Sequence, residues 1–554
     1  MKYINSILQR IHRMLPSLIS IYFVFLISGT YIFSDCRFGE ENYLSYYLPY
    51  VIANFAIAFI LSFFISLFKN KVQKRICCSI LILFSFLAIL EGLVVVKYDV
   101  FFNAFVLEAL RHTNAIEANA VFTDNIFNIL ILLIFFVVLS LVVITIYKKL
   151  LDLSNGLLNK ILNIVVYTLL FATLCVPPAY YILRNVQKFS FYFFGIANQI
   201  ERIAVAFHDS YENQKCYGVY IDDNINFLNA KESISVPSDS LDCIVIIGES
   251  YARHHSNLYG YKYNTCPLEK QMVDNGNLFV FKDAISCDNA TQGAFMKIFN
   301  FYGSSSKLLL PTVFKKCGFN CRNYDNEFLV SNSYDIWYDN TIISKAIYNY
   351  RNKKCFDFDE DLLKEFKVMK SRQNFYFIHL VGQHFPYNRH FPKSFNKFQK
   401  RDYSDRYGEY SQQQLADYDN CTLYNDFIIN SIISKFKNRN AIAFYLSDHG
   451  EELYEYRNFN GHGNTIHDKK GLVQVEIPFT VWTSSKYKKK HPEIIRRLSK
   501  SINKRFISNM FANTVLDAVG IKCNKSNSKF SVINDNFDNS KHRITAYEYD
   551  YDKK

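Results

Sequence analysis

The feature that most constrains this chain is a series of long apolar runs in its first third. A helix needs about 20 consecutive, mostly apolar residues to cross the hydrocarbon core of a bilayer. Five segments reach that length, at 16–33, 44–68, 76–96, 125–147 and 161–183, and the last contains Pro177-Pro178, where a helix can stop. The loops between them alternate in charge. Lys2, Arg10 and Arg13 precede the first span, KNKVQKR (69–75) separates the second from the third, and Lys148, Lys149 and Lys160 follow the fourth. Loops 34–43 and 97–124 are less basic. The positive-inside rule then places the amino terminus in the cytoplasm, and five crossings put everything after residue 184 outside it. The first span lacks a small-residue cleavage site and further spans follow, so it reads as an anchor rather than a signal peptide. Glu91, within LAILEGLVVV, is a charge inside a span. It is either a functional acid or a residue near the outer interface, close to Lys97.

Beyond residue 184 the composition changes to charged and polar residues mixed with short apolar runs. The net charge of +13 comes without the basic, aromatic-interleaved stripe that nucleic-acid binding calls for. Nine of the 13 cysteines lie from Cys216 onward; in an oxidising compartment such a set favours disulfides over free thiols. Residues 185–236 read as a connector. Within it, 189–211 is rich in aromatics with charges at intervals, suited to a helix on the membrane surface or to one packed on protein. VPSDS (236–240) is turn-like and marks the start of a domain over 237–554.

In that domain, short apolar runs alternate with helical stretches, as in a mostly parallel α/β sheet covered on both sides. Three runs read as buried strands, DCIVIIGES (242–250), NFYFIHLVGQH (374–384) and AIAFYLSDHG (441–450). The stretches 359–372 and 417–438 read as helices, the last 30 residues as loosely ordered, and SVINDNFD within them as an edge strand. Each of the three strands ends in polar residues: Glu249, then Gln383-His384, then Asp448-His449. Ligands of open α/β sheets bind beyond the carboxyl ends of the strands, so these residues, 200 positions apart in the chain, are candidates to converge. Carboxylates with imidazoles make a nitrogen and oxygen site suited to zinc or manganese. His462, in the glycine-flanked NGHGN (460–464), can reach the same place. Thr291 stands where the polar loop SCDNA enters a helix-like stretch. It is either an N-cap or a metal-activated nucleophile at a helix end suited to phosphate.

The motifs IGESYARHHSNLYGYKYNTCP (247–267), SCDNAT (286–291), HLVGQHFPYNRHFP (379–392), YLSDHGEE (445–452) and GHG (461–463) occur in that order. Together they resemble the membrane-anchored phosphoethanolamine transferases of Gram-negative bacteria, a group within the alkaline phosphatase/sulfatase superfamily that includes colistin-resistance enzymes. The resemblance implies a five-helix transmembrane domain over 1–184 in the bacterial inner membrane and a periplasmic sulfatase-like catalytic domain. It implies a zinc ion held by Glu249, Thr291, Asp448 and His449, with Thr291 as the nucleophile. His384 and His462 match family histidines that line the phosphate site or hold a second metal. TNAIEANAVF (113–122) is similar to a family motif, so Asn114 and Glu117 would meet the head group of the lipid donor. The implied activity moves phosphoethanolamine from phosphatidylethanolamine, through a covalent threonine intermediate, to lipid A, lipopolysaccharide core or another envelope acceptor. Phe385 departs from the family's glycine after the matching histidine. A sulfatase is disfavoured, because TCPLEK (265–270) lacks the arginine and the proline spacing of a formylglycine motif. A glycerophosphotransferase using phosphatidylglycerol and a non-enzymatic membrane scaffold are the alternatives.

Overall fold

The computed structural model describes residues 14–25, 43–98, scattered positions between 102 and 145, and then 195–231, 233–327, 342–352, 356–456, 459–462 and 469–553. The chain forms two compact units, Met1–Ser210 and Tyr211–Lys554.

In the first unit, helices α1 (Tyr43–Ser66) and α2 (Asn70–Tyr98) lie on the second and third expected spans. Among the described residues no helix is long and apolar enough to cross a membrane, and the described side chains of these two helices form shorter stretches. Ile60 and Phe64 of α1 and Leu83 of α2 are each more than half exposed. Glu91 is buried. The fourth and fifth expected spans, together with Asn114 and Glu117, lie outside the described residues, apart from isolated positions of the fourth.

Helix α3 (Gly195–Asn229) runs across the boundary between the units. Its second half packs on protein. Tyr220 and Phe227 join the core of the second unit, and the Asn224 amide bonds the Lys307 carbonyl and the Leu309 N–H, each at 3.0 Å.

The second unit is built on a seven-stranded sheet. Its strands are β1 (Leu241–Gly248), β2 (Leu278–Val280), β3 (Asn320–Asp325), β4 (Tyr350–Arg351), β5 (Gln373–His379), β6 (Ala441–Ser447) and β7 (Phe479–Thr483), in spatial order β2-β7-β6-β1-β5-β3-β4. β1 pairs in parallel with both β5 and β6, while β7 pairs antiparallel with β6 and β2. All residues of β1 and β6 are buried. Apolar helices and loops cover both faces, which is why these strands read as unbroken apolar runs rather than alternating ones. The register sets Gly248 opposite Ser447 and Ile247 opposite His379, so three adjacent strands end at one level. Gly382 closes that end. A Cβ there would lie 3.0 Å from the Glu249 nitrogen, and its φ of +49° falls in the left-handed region.

Four expectations change. The helix expected over 359–372 is Asp359–Glu365 only, because Phe366 and Met369 turn into the core beside β5. The helix expected at 417–438 begins earlier, at Glu409, and ends at Ser434. The tail is ordered by packing. Val532 and Ile533 are fully buried, in turns rather than an edge strand, and Arg543 bridges Asp283 and Asp552 at 2.8 and 2.7 Å. Among the described residues Cys243 in β1, Cys321 in β3, and Cys266, Cys287, Cys317 and Cys421 are free thiols. Most of these fill core positions as small apolar groups.

The core also holds an acid pair. Asp426 accepts the backbone N–H groups of Leu268 and Glu269 at 2.9 and 2.8 Å, at the start of the helix Pro267–Asp274. Glu269 is buried beside it, and its Oε1 has no hydrogen-bond partner. Burial, then the charge of Asp426, push Glu269 well above the usual carboxylate range, and burial lifts Asp426 to about 7. Of the two, Asp426, with its two N–H donors, ionises first, and Glu269 keeps its proton to higher pH. Both carboxyls hold protons more tightly folded than unfolded. Their contribution is therefore full below ~pH 4 and is lost as the pH rises through the folded values. Glu269→Gln, which keeps the shape without an ionisable proton, is expected to stabilise the second unit by about 1–3 kcal/mol at pH 8 and to change little at pH 4. Denaturant midpoints at the two pH values check this, and an equal effect at both would refute the assignment.

Candidate metal and nucleophile site

The helices that matter here are α4 (Thr291–Ile298) and α5 (Glu409–Ser434). Glu249 follows β1, and Asp448 and His449 follow β6. All three are fully buried. One ligand atom of each lies within 4.8 Å of the others, a spacing open to a shared cation. His449 Nε2 is 3.3 Å from Glu249 Oε1 and 3.2 Å from Asp448 Oδ2.

The backbone fixes these side chains. Asp448 Oδ1 accepts the N–H groups of Ser250 at 3.1 Å and of His449 at 2.7 Å. Asp448 Oδ2 is buried with no hydrogen-bond partner. Ser250 donates its hydroxyl to Glu249 Oε1 at 2.8 Å and has φ of +55°, an unfavourable conformation of the kind that surrounding contacts hold at functional sites. Gly450 allows the DHG turn to lie against the Val473 and Glu476 carbonyls, where a Cβ would collide. His449 Nδ1 is 2.9 Å from the Gly450 carbonyl. A carbonyl only accepts, so Nδ1 carries the hydrogen and Nε2 is the atom presented to the carboxylates.

The electrostatics follow from this crowding. Burial alone would raise Glu249, but the hydrogen bond and charge of His449 hold it well below the usual carboxylate range. Burial and the charge of Glu249 push Asp448 up to about 7. Burial disfavours the charged form of His449, yet Asp448 and Glu249 raise it to about 10. Two buried carboxylates facing one imidazole thus hold a positive charge. A divalent cation fits the same donor set, with the orphaned Asp448 Oδ2 and the outward Nε2 as ligand atoms.

Thr291 is the first residue of α4, and Ala290 occupies the N-cap. The hydroxyl does not cap the helix. Thr291 Oγ1 lies 3.3 Å from Glu249 Oε2 and 3.2 Å from His449 Nε2. Glu249, Thr291, Asp448 and His449 therefore meet in one place.

His462 lies with them. Its ring is 4.0 Å from that of His449, and its Nδ1 is 2.7 Å from Glu451 Oε2. His449, Glu451 and His462 form a second group able to share a cation. His384 is partly exposed, with Nε2 3.8 Å from Glu327 Oε1, and its charge is among those lowering Glu249. Sequence reasoning missed Glu451, which Tyr387 also holds through a 2.6 Å hydrogen bond. It also missed Asp325, at the end of β3 and 3.1 Å from His379 Nδ1. The rule that flagged the other strand ends would have found Asp325, had NCRNYD been read as a strand.

A family model described as Sulfatase matches residues 242–521. The phosphoethanolamine transferase EptC of Escherichia coli (strain K12) is 26% identical over 317 residues, 53% of this chain and 53% of that protein. The chain thus matches about half the length of this curated relative. Among solved structures, the integral membrane protein lipooligosaccharide phosphoethanolamine transferase A (EptA) from Neisseria meningitidis is similar in fold, with a TM-score of 0.60 and 17% identity, over 94% of this chain and 97% of that one. The C-terminal periplasmic domain of EptC from Escherichia coli, in complex with Zn, matches with a TM-score of 0.50 and 22% identity, over 58% of this chain and 94% of that one.

Proposed function

The chain belongs to the sulfatase family, and on that premise we propose that it transfers phosphoethanolamine from phosphatidylethanolamine to a cell-envelope acceptor such as lipid A or lipopolysaccharide core. The observation that carries this reading is Thr291 Oγ1, uncommitted to capping and set between Glu249 and His449 at the head of a helix. The names of the similar proteins support phosphoethanolamine as the group transferred and an envelope saccharide as the acceptor class.

Glu249, Asp448 and His449, with Thr291, would hold a zinc ion, whose chemistry is to lower the pKa of a hydroxyl and to neutralise charge on phosphoryl oxygens. Thr291 Oγ1 attacks the phosphorus of the donor, the bond from phosphorus to the diacylglycerol oxygen breaks, and phosphoethanolamine remains on Thr291. An acceptor oxygen then attacks the same phosphorus and releases the threonine. The Nδ1 of His462 donates to Glu451 and burial lowers its pKa, which leaves the Nε2 lone pair able to take the proton of the attacking acceptor oxygen or to join a cation. His384 supplies a further imidazole on the exposed side. The α4 N-terminus adds a weak positive potential. Asn114 and Glu117 are proposed to meet the ethanolamine head group, Glu117 through its ammonium. Five spans over 1–184 would hold the enzyme in the inner membrane, with 185–236 as connector and 237–554 in the periplasm.

The test is peptide mass spectrometry on full-length protein incubated with phosphatidylethanolamine and no acceptor. The expected result is a phosphoethanolamine adduct on Thr291 and ping-pong kinetics once acceptor is added. An adduct from phosphatidylglycerol alone would establish the glycerophosphotransferase reading instead. No adduct from either lipid, in folded and zinc-loaded protein, would favour a non-enzymatic scaffold.

A further inference from the structure

A separate cavity of about 450 Å³ is lined in part by the segments that follow β1 and β6. His255, Tyr261, Lys262, Arg406, Tyr407 and Glu455 are in its wall. None of these is used by the mechanism above.

The wall is built rather than incidental. Asp419, fully buried on α5, takes hydrogen bonds from three wall side chains: His255 Nδ1 at 2.6 Å, the Tyr261 hydroxyl at 2.8 Å and the Tyr403 hydroxyl. One carboxylate thus fixes the orientation of three groups, an arrangement that holds a binding surface in place. Burial disfavours the charged form of His255, but the charge and hydrogen bond of Asp419 outweigh it and raise the imidazole above its ordinary value. The His255 Nε2 then points toward Glu455 Oε1, 3.8 Å away.

Two more cations stand at the rim. Lys262 and Arg406 are exposed, and neither makes an ion pair among the described residues. Aromatic rings hold them instead, Lys262 Nζ 4.4 Å from the Tyr263 ring centre and the Arg406 guanidinium 4.5 Å from that of Tyr407. Cations held by rings rather than carboxylates keep their charge for a ligand. Tyr261 and Tyr407 line the cavity with aromatic rings, and Glu455 offers an acceptor for a hydroxyl. Cations for a phosphate, rings for a sugar face and an acid for a hydroxyl describe one kind of molecule, a phosphorylated sugar.

The cavity is connected to the reacting atoms. The ring of His255 packs edge-on against Tyr418 at 5.1 Å. The Tyr418 hydroxyl donates to the Ser250 carbonyl at 2.6 Å, next to Glu249. On the other side, Glu455 lies in the segment between Glu451 and His462, just after the short strand Glu452–Leu453 that pairs with Asn460–Gly461. Both walls are therefore continuous with residues of the metal and nucleophile site.

We propose that this cavity is a subsite for a phosphorylated sugar of the acceptor, with Lys262 and Arg406 receiving its phosphate and Glu455 a sugar hydroxyl. The role as acceptor subsite rests on the transferase reading. The sugar phosphate itself can come from a membrane-bound glycolipid or from a soluble molecule.

The first arm measures binding alone. Full-length Thr291→Ala protein is titrated calorimetrically with glucosamine 1-phosphate and with glucosamine. Tighter binding of the phosphorylated sugar is expected, weakened at least tenfold by adding Lys262→Ala and Arg406→Ala. Equal affinities with and without those two substitutions overturn the proposal. The second arm uses Thr291-containing enzyme and compares the acceptor KM for glucosamine 1-phosphate with that for lipid A in micelles. A KM raised at least tenfold in Lys262→Ala/Arg406→Ala, with the Thr291 adduct still forming from phosphatidylethanolamine, supports the subsite. The acceptor whose KM moves identifies the source of the phosphate. A loss of kcat at unchanged KM overturns it. If no adduct forms at all, the transferase reading fails, and the binding arm still decides whether the cavity takes a sugar phosphate.

Discussion

Replacing Thr291 by alanine is expected to lower turnover of phosphatidylethanolamine by at least about 10⁴-fold while leaving the protein folded. The geometry separates the chemical role from the structural one. Ala290 holds the N-cap and Thr291 begins α4 without a side-chain cap, so losing the hydroxyl costs no capping bond. Alanine is also the better helix former. Thermal stability should therefore move by less than about 0.5 kcal/mol. Thr291→Ser keeps the oxygen that lies 3.2 Å from His449 Nε2 and loses only the methyl that limits its rotation. About 1–10% of activity should survive. Release of fluorescent diacylglycerol from a labelled donor reads both variants. Alanine and serine variants of equal activity would show that the hydroxyl is not the nucleophile.

The second large effect concerns metal. Asp448→Ala removes the carboxylate whose Oδ2 has no hydrogen bond, and is expected to abolish stoichiometric zinc binding and activity together. Wild-type protein with zinc at 1,000 times its Kd should gain about 4 kcal/mol of stability, which is a rise of several degrees in Tm. The variant should show none, and chelator should leave its Tm unchanged. The pH dependence has a definite sign. Without metal, Asp448 takes up a proton below about pH 7 and His449 holds one up to about 10. Metal must displace these protons, so its affinity rises as the pH rises. Zinc affinity measured with a competing chelator should climb steeply from pH 6 to pH 8. A flat profile would show that these residues are not the ligands.

What could be read in the sequence depended on how each element is buried. β1, β5 and β6 are covered on both faces, so they appear as unbroken apolar runs, and their ends pointed to Glu249, His384, Asp448 and His449. β3 was not legible. NCRNYD interleaves partly exposed Asn320 and Arg322 with buried Cys321 and Tyr324, and it looks like a loop until Phe375 and Tyr376 are seen beside it. Asp325 was hidden with it. Glu451 stood in the open within DHGEE, but its bond to His462 depends on a turn that no local pattern announces. The cavity was invisible, because Tyr261, Tyr403 and Asp419 come from three separate stretches. The cysteines misled for a related reason. A count suggests a pairing scheme, whereas Cys243 and Cys321 are spent on packing inside strands.

The register of the three central strands has a consequence for how the protein matures. The Ser250 N–H that orients Asp448 comes from 198 residues away. A slip of one residue between β1 and β6 would turn every side chain of the moved strand to the opposite face. Glu249 meets Asp448 and His449 only through the pairing of β1 with β6, so the full donor set would form only once the sheet has closed in its final alignment. Metal capture would thus act as a late quality check. A chain that paired its strands wrongly would not assemble this donor set, however much of its secondary structure had formed.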